Sequence, residues 1–184
     1  MAMFTVVTPQ NRKMHQRLLD EMFIRRDALF TNGHKSAFDH EHAVYLIYED
    51  KVRGFFGSAR LSPTTTPTQS GELLTKRGAK FHDKSVWECS FVFLSRDQKP
   101  HNHTPQHDYW FYGLLRDELA KASDLFDIAV YLTLSEEGSD QKICLQEKWQ
   151  FDHSYHFSQG ERAEKTLHLG VLNKQSFGTL LKPF

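Results

Sequence analysis

Apolar residues recur along this chain in two rhythms, one helical and one alternating. Met14, Leu18 and Met22 stand four residues apart with Leu19 and Phe23 beside them, the period of an amphipathic helix. Thr8-Pro9 supplies its start signal, a capping hydroxyl followed by proline at the first helical position, and Asn32-Gly33 its end. Ala43–Tyr48 reads as a strand, Glu49-Asp50-Lys51 as a turn and Val52–Leu61 as the returning strand of a hairpin. A Thr- and Pro-rich loop, Pro63 to Gly71, leads to a short helix over Glu72–Lys76 and then to a mostly apolar strand, Ser85–Ser95. The polar stretch Arg96–His107 breaks regular structure. Thr104-Pro105 then repeats the helix-start signal, and Trp110, Phe111, Leu114, Leu115 and Leu119 follow at helical spacing as expected core. Ile128–Leu134 predicts a strand and Ser139–Trp149 a short helix. Phe151–Phe157 and Thr166–Leu172 are alternating strands flanking a Ser-Gln-Gly turn, and Asn173–Leu181 is a closing helix.

The order is α-β-β-(α)-β-α-β-α-β-β-(α). Strands interleaved with single helices imply an α/β fold, a mixed sheet with helices covering its faces. The 184 residues suit one domain, 1–184, with no repeat and no long linker to divide it.

Composition narrows the function classes. Fifteen Phe, six Tyr and three Trp can fill a core, while 23 Lys plus Arg balance 23 Asp plus Glu. No basic excess marks a nucleic-acid partner, although a local patch could still dock an acidic carrier protein. The N-terminal apolar run is too short for a signal peptide, and no stretch approaches a membrane span. Cys89 and Cys144 lack metal or redox spacing, so two reduced thiols in a cytoplasmic protein are expected.

Glu88 stands out chemically, because most of its neighbours in Val86–Leu94 are apolar. Strand alternation puts it on one face with Val86, Ser90, Val92 and Leu94. A carboxylate there needs a partner, since desolvation disfavours its charged form. Such a group suits a general base taking a proton from an amine near neutral pH, and it suits equally a structural pair with an arginine. Arg60, near the end of the hairpin strand, could hold Glu88 bidentately or anchor a carboxylate on a small substrate. His40 and His42 flank Glu41, and His101, His103 and His107 crowd one loop, but neither spacing matches a metal site. They read as exposed loop histidines, and no metal is expected. Phosphate-loop, dinucleotide and GxSxG motifs do not occur.

Three segments together resemble the autoinducer synthases, acyltransferases that make N-acyl-homoserine lactones on a GNAT-like, three-layer α-β-α fold with a central mixed sheet. Met22–Phe30 is similar to the family's helix carrying an arginine with an aromatic four residues on, a register that selects Arg26 and Phe30. Ala59–Pro67 is similar to its "RLLPTTGP" strand end and contains Arg60. Val86–Phe91 is similar to its "WE-x-SRF" strand and contains Glu88 and Ser90. The passage Lys142–Phe151 also resembles the family. Such enzymes join an acyl chain, carried as a thioester on acyl carrier protein or coenzyme A, to the amine of S-adenosylmethionine. Lactone closure then releases methylthioadenosine.

The resemblance implies catalytic roles for Glu88, as base, Arg60 and Ser90, with backbone N–H groups at the disrupted strand edge stabilising the oxyanion. It implies substrate contacts for Arg26, Phe30, Asp39, Phe91 and Phe93, the last two either lining an acyl tunnel or serving as core. No cofactor beyond the two substrates is implied. Acyl carrier protein is the implied partner, quorum sensing the setting and the cytoplasm the location. Departures from the pattern are specific. Phe91 stands where the family has an arginine, and its acidic E-x-D-x-x-D run is reduced to Asp39, with His34 and Ser36 at the other two places. Its tryptophan between Phe30 and that run is missing. Since these groups belong to the family's sulfonium-substrate region, two alternatives stand: a GNAT-like acyltransferase with a different amine acceptor, and a non-catalytic relative that binds an acyl ligand or a partner protein.

Overall fold

The computed structural model describes residues 2–29, 38–50, 54–75, 82–95, 105–136, 153–159 and 162–171. They fall into two compact units, Met1–Ser62 with Ser90–Thr104 and Pro63–Cys89 with Pro105–Phe184. Phe30, Cys144 and the helices expected over Ser139–Trp149 and Asn173–Leu181 lie outside the described residues.

The first unit contains an antiparallel sheet. β1 (Ala2–Val7) pairs with β2 (Val44–Asp50), and β2 pairs with β3 (Gly54–Pro63). β1 was not anticipated, because a strand whose partner lies far along the chain leaves no hairpin signal beside it. β2 also continues through Glu49 and Asp50, which the sequence assigned to a turn. A register shift between Tyr48 and Glu49 accommodates the extra length, and Gly54 takes φ +79, a left-handed backbone that glycine adopts at little cost.

The first helix starts later than Thr8-Pro9 suggests. Asn11 Oδ1 accepts the Thr8 N–H at 2.7 Å, and Asn11 Nδ2 donates to Val6 O at 3.0 Å. The asparagine side chain thus ties the end of β1 to the turn at Thr8, as such residues do in turns. A 3-10 turn over Arg12–His15 follows, and α1 runs from Gln16 to Leu29. Met14 consequently leaves the apolar stripe and is 83% exposed. Leu18, Leu19 and Met22 remain on it and pack with Val7, Tyr45, Ile47, Phe55 and Phe93 as the core of this unit.

In the second unit, residues 86–89 of β4 (Val86–Leu94) pair in parallel with β5 (Val130–Glu136), from Val86↔Val130 to Cys89↔Thr133. β5 pairs antiparallel with β7 (Arg162–Val171), and β7 with β6 (His153–Gln159). The mixed sheet expected from the element order is therefore present. Alternation along the β4–β5 pair divides two helices between its faces. Trp87 and its register partner Tyr131 meet α3 (Pro105–Phe126): the Trp87 ring stacks on Phe126, and the Tyr131 hydroxyl donates to Leu119 O at 3.0 Å. The next residue, Glu88, faces the other way and meets α2 (Gln69–Thr75).

α3 starts at Pro105 as its Thr-Pro signal predicts, and it buries Phe111, Leu115 and Leu119. Trp110, expected in the core, is 49% exposed, because the buried stripe passes through its neighbour. Truncating Phe111 to Ala should cost about 3–5 kcal/mol of stability. Trp110→Ala should cost less than half as much, and urea unfolding of the two variants measures the difference. Equal losses would contradict this helix register.

Candidate functional site

Among the described residues, each unit buries polar side chains around a carboxylate. In the first unit the centre is Asp39, just ahead of β2, with no exposed side-chain surface. Arg26, in the last turn of α1, grips it as a fork, with Nη1 on Oδ1 at 2.9 Å and Nη2 on Oδ2 at 2.5 Å. The Tyr45 hydroxyl donates to Oδ1 at 3.0 Å, and Arg60 Nη1 approaches the same oxygen at 3.4 Å. Arg60 also donates from Nε and Nη2 to Ser90 Oγ, at 3.1 and 2.8 Å.

Both arginines are 1% exposed, and buried guanidinium groups are costly unless they are paired and hydrogen-bonded. Aromatic faces add to the pairing here. The Arg26 and Arg60 guanidinium carbons each lie 4.6 Å from the Phe91 ring centre, and Arg26 lies 4.8 Å from that of Phe23. Phe91 has φ +48, a left-handed conformation that costs a non-glycine residue roughly 1–2 kcal/mol. Strain of this kind persists where surrounding contacts over-determine it, and two guanidiniums on one ring are such contacts. The same φ interrupts strand alternation immediately after Ser90.

Next to this network, Arg12 Nη2 donates to the carbonyls of His40 and Ala43. Burial, and then the positive charges of Arg60, His42 and Arg12, hold the His40 pKa below its ordinary 6.5, with Asp39 opposing them. Tyr45 is pushed well above its ordinary range by burial and by the Asp39 charge. His42 is exposed as expected, whereas His40 is only partly so. Among the described residues no cluster of three or more His, Cys, Asp or Glu could hold a metal ion.

In the second unit Glu88 is fully buried. Its Oε2 accepts from Ser70 N at 2.5 Å and from Ser70 Oγ at 2.7 Å. These donors come from a serine at the start of α2. The Thr-rich loop before α2 is ordered by its own hydroxyls. Thr64 Oγ1 donates to Asp83 O at 3.0 Å, Thr66 Oγ1 donates to Pro63 O at 2.7 Å, and Thr68 Oγ1 accepts from Gly71 N at 3.0 Å. The last bond caps α2, which starts at Gln69 instead of Glu72.

Of the residues selected from the sequence, the structure brings together Arg26, Asp39, Arg60, Ser90 and Phe91. Glu88 lies two positions before Ser90 on β4, while Phe93 packs on Phe55 in the core with ring centres 5.7 Å apart. Tyr45 and Ser70 were missed. Tyr45 read as one more apolar residue of the strand Ala43–Tyr48. Ser70 was hidden because Gly71 obscured a helix start that Thr68 in fact caps.

Asp39→Asn should destabilise the protein by about 3–5 kcal/mol, since it leaves buried arginine charge without its carboxylate. Tyr45→Phe should cost about 1.5–3 kcal/mol for one hydrogen bond to a charged group. Chemical denaturation checks both, and a neutral Asp39→Asn would contradict the buried network. For His40, the folded state binds the proton less readily than the unfolded chain. Its contribution to stability is therefore complete above about pH 6.5 and is lost as the pH falls below that value. His40→Asn should flatten the acid side of the stability curve, and an unchanged slope would contradict the assignment.

No protein-family model matches the sequence, and no curated protein matches it. Solved structures do. The chain is similar to MesI, a CoA-dependent acyl-homoserine lactone synthase, with a TM-score of 0.67 at 18% identity over 94% of this chain and 90% of that one. It is similar to BjaI, a CoA-dependent acyl-homoserine lactone synthase determined with SAM and isopentyl-CoA, with a TM-score of 0.66 at 20% identity over 98% of this chain and 88% of that one. A candidate N-acetyltransferase from Lactobacillus plantarum matches with a TM-score of 0.53 at 11% identity over 93% and 98% of the two chains. At these identities the likeness fixes the fold, which is α/β and GNAT-like.

Proposed function

We propose that this chain, with the fold seen in acyl-homoserine lactone synthases, is an acyltransferase. It moves an acyl group from a thioester to the amine of S-adenosylmethionine and so makes an N-acyl-homoserine lactone for quorum sensing. The observation that carries this reading is Glu88, an ionisable side chain with no exposed surface, which accepts from the Ser70 N–H and hydroxyl. Burying a carboxylate is costly, so a fixed one in an acyltransferase fold supports a role for its proton chemistry.

In the proposed reaction Glu88 takes a proton from the acceptor's ammonium group, directly or through a water. The freed nitrogen then attacks the thioester carbonyl. A C–N bond forms, the C–S bond breaks, and the thiol leaves with a proton. Backbone N–H groups of β4 near Phe91 stabilise the oxyanion. The acceptor's carboxylate oxygen next attacks the carbon bonded to the sulfonium, closing the lactone and releasing methylthioadenosine. The resemblance to the autoinducer synthases also implies roles for Arg26, Asp39, Arg60, Ser90 and Phe91, and the proposed reaction needs no further cofactor.

Acyl carrier protein and coenzyme A are both suitable donors. The carrier protein is the partner the sequence suggested, while the CoA dependence of MesI and BjaI favours the second. Both substrates are cytoplasmic metabolites, which places the proposed activity in the cytoplasm. No described helix is long and apolar enough to cross a membrane.

A second reading keeps acyl transfer and changes the acceptor. Asp39, the survivor of the family's acidic run, already receives Arg26, Arg60 and Tyr45, which favours an amine without a sulfonium. Incubation with acyl-CoA or acyl carrier protein thioesters plus S-adenosylmethionine separates the two. The proposal predicts lactone and methylthioadenosine in equal amounts, with Glu88→Gln lowering kcat about 10²–10⁴-fold. Thioester consumption without methylthioadenosine in the presence of other amines would establish the second reading. No acyl transfer to any amine would reject both.

A further inference from the structure

We infer that Ser70 is a positioning residue for Glu88, so that the first turn of α2 belongs to the machinery of acyl transfer; this rests on the reading of Glu88 as the base. Ser70 is fully buried and gives both of its donors to one oxygen, Oε2 of Glu88. Two donors from one residue fix the rotation of the carboxyl group and decide which of its oxygens turns toward α2.

The serine is itself held in place. Thr68 Oγ1 accepts the Gly71 N–H at 3.0 Å, and the Glu72 N–H bonds to Thr68 O at 3.0 Å, closing the first turn around Ser70. A Cβ at Gly71 would lie 2.8 Å from Thr68 Oγ1, so a larger residue there would oblige the threonine to shift. Thr68-Gln69-Ser70-Gly71 thus acts as one device in which threonine caps, glycine lets it close and serine points at β4.

A purely structural role explains this arrangement poorly. Thr68 already caps α2, so the Ser70 hydroxyl is not needed to close that turn and is given to Glu88 instead. An ionisable acceptor gripped by a buried hydroxyl is what orienting a proton-transfer group demands, since a misplacement of about 1 Å costs on the order of a hundredfold in rate.

The test is a double-mutant cycle in the acyl-transfer assay, with thermal unfolding recorded for every variant. Ser70→Ala should lower kcat about tenfold to a hundredfold and leave KM within about twofold. Ser70→Thr, which keeps the hydroxyl, should restore kcat to within about threefold. In a Glu88→Gln background Ser70→Ala should produce no further loss, because its effect passes through the carboxylate. An active Ser70→Ala beside an inactive Glu88→Gln would overturn the Ser70 inference alone. Equal losses from Ser70→Ala in both backgrounds, or a failed rescue by threonine, would assign serine a structural role and overturn it too. A fully active Glu88→Gln, or a wild type without acyl transfer, would overturn the base reading and this inference with it.

Discussion

Two arginines buried against a single carboxylate are the constraint on which the first unit depends. Arg26 and Arg60, each 1% exposed, both reach Asp39, which brings the chain just ahead of β2 to the end of α1 and the middle of β3. Tyr45 and Ser90 join through their hydroxyls, and Phe91 joins through its ring. The unusual backbone at Phe91 follows from the same demand, because a flat apolar ring must face two flat cations where β4 would otherwise continue its alternation.

The second unit uses a different device for a similar problem. Glu88 is buried without surface exposure and meets the serine that starts a capped helical turn. The β4–β5 pair sends Trp87 to α3 and Glu88 to α2, so one apolar strand contributes both packing and chemistry at adjacent positions. Within the proposed reaction, the strand supplies the base and the loop that follows β3 supplies the group that aims it.

Legibility in the sequence followed the range of the interactions. α3, β3, β4 and β5 were readable because their apolar periods and Thr-Pro or hairpin signals are local. β1 was not, since its pairing partner β2 lies far along the chain. The start of α1 was misread because a 3-10 turn over Arg12–His15 lies between the Thr8-Pro9 signal and the helix. Trp110 was assigned to the core because helical spacing cannot distinguish the centre of a buried stripe from its edge. Arg26, Asp39 and Ser90 were selected through resemblance to the autoinducer synthases and Arg60 already from its place near the end of the hairpin strand, and the four do converge. The role of Phe91 was not readable, because a positive φ leaves no mark on an aromatic residue, and Ser70 was not, because its partner lies on another element.

The central claim is that Glu88 serves the chemical step and not the assembly of the site. The most direct measurement separates binding from chemistry: calorimetric Kd for an acyl thioester, together with single-turnover amide formation, in wild type and Glu88→Gln. The account predicts an unchanged Kd and amide formation slowed about 10²–10⁴-fold. An unchanged single-turnover rate, or a loss confined to thioester binding, would contradict it.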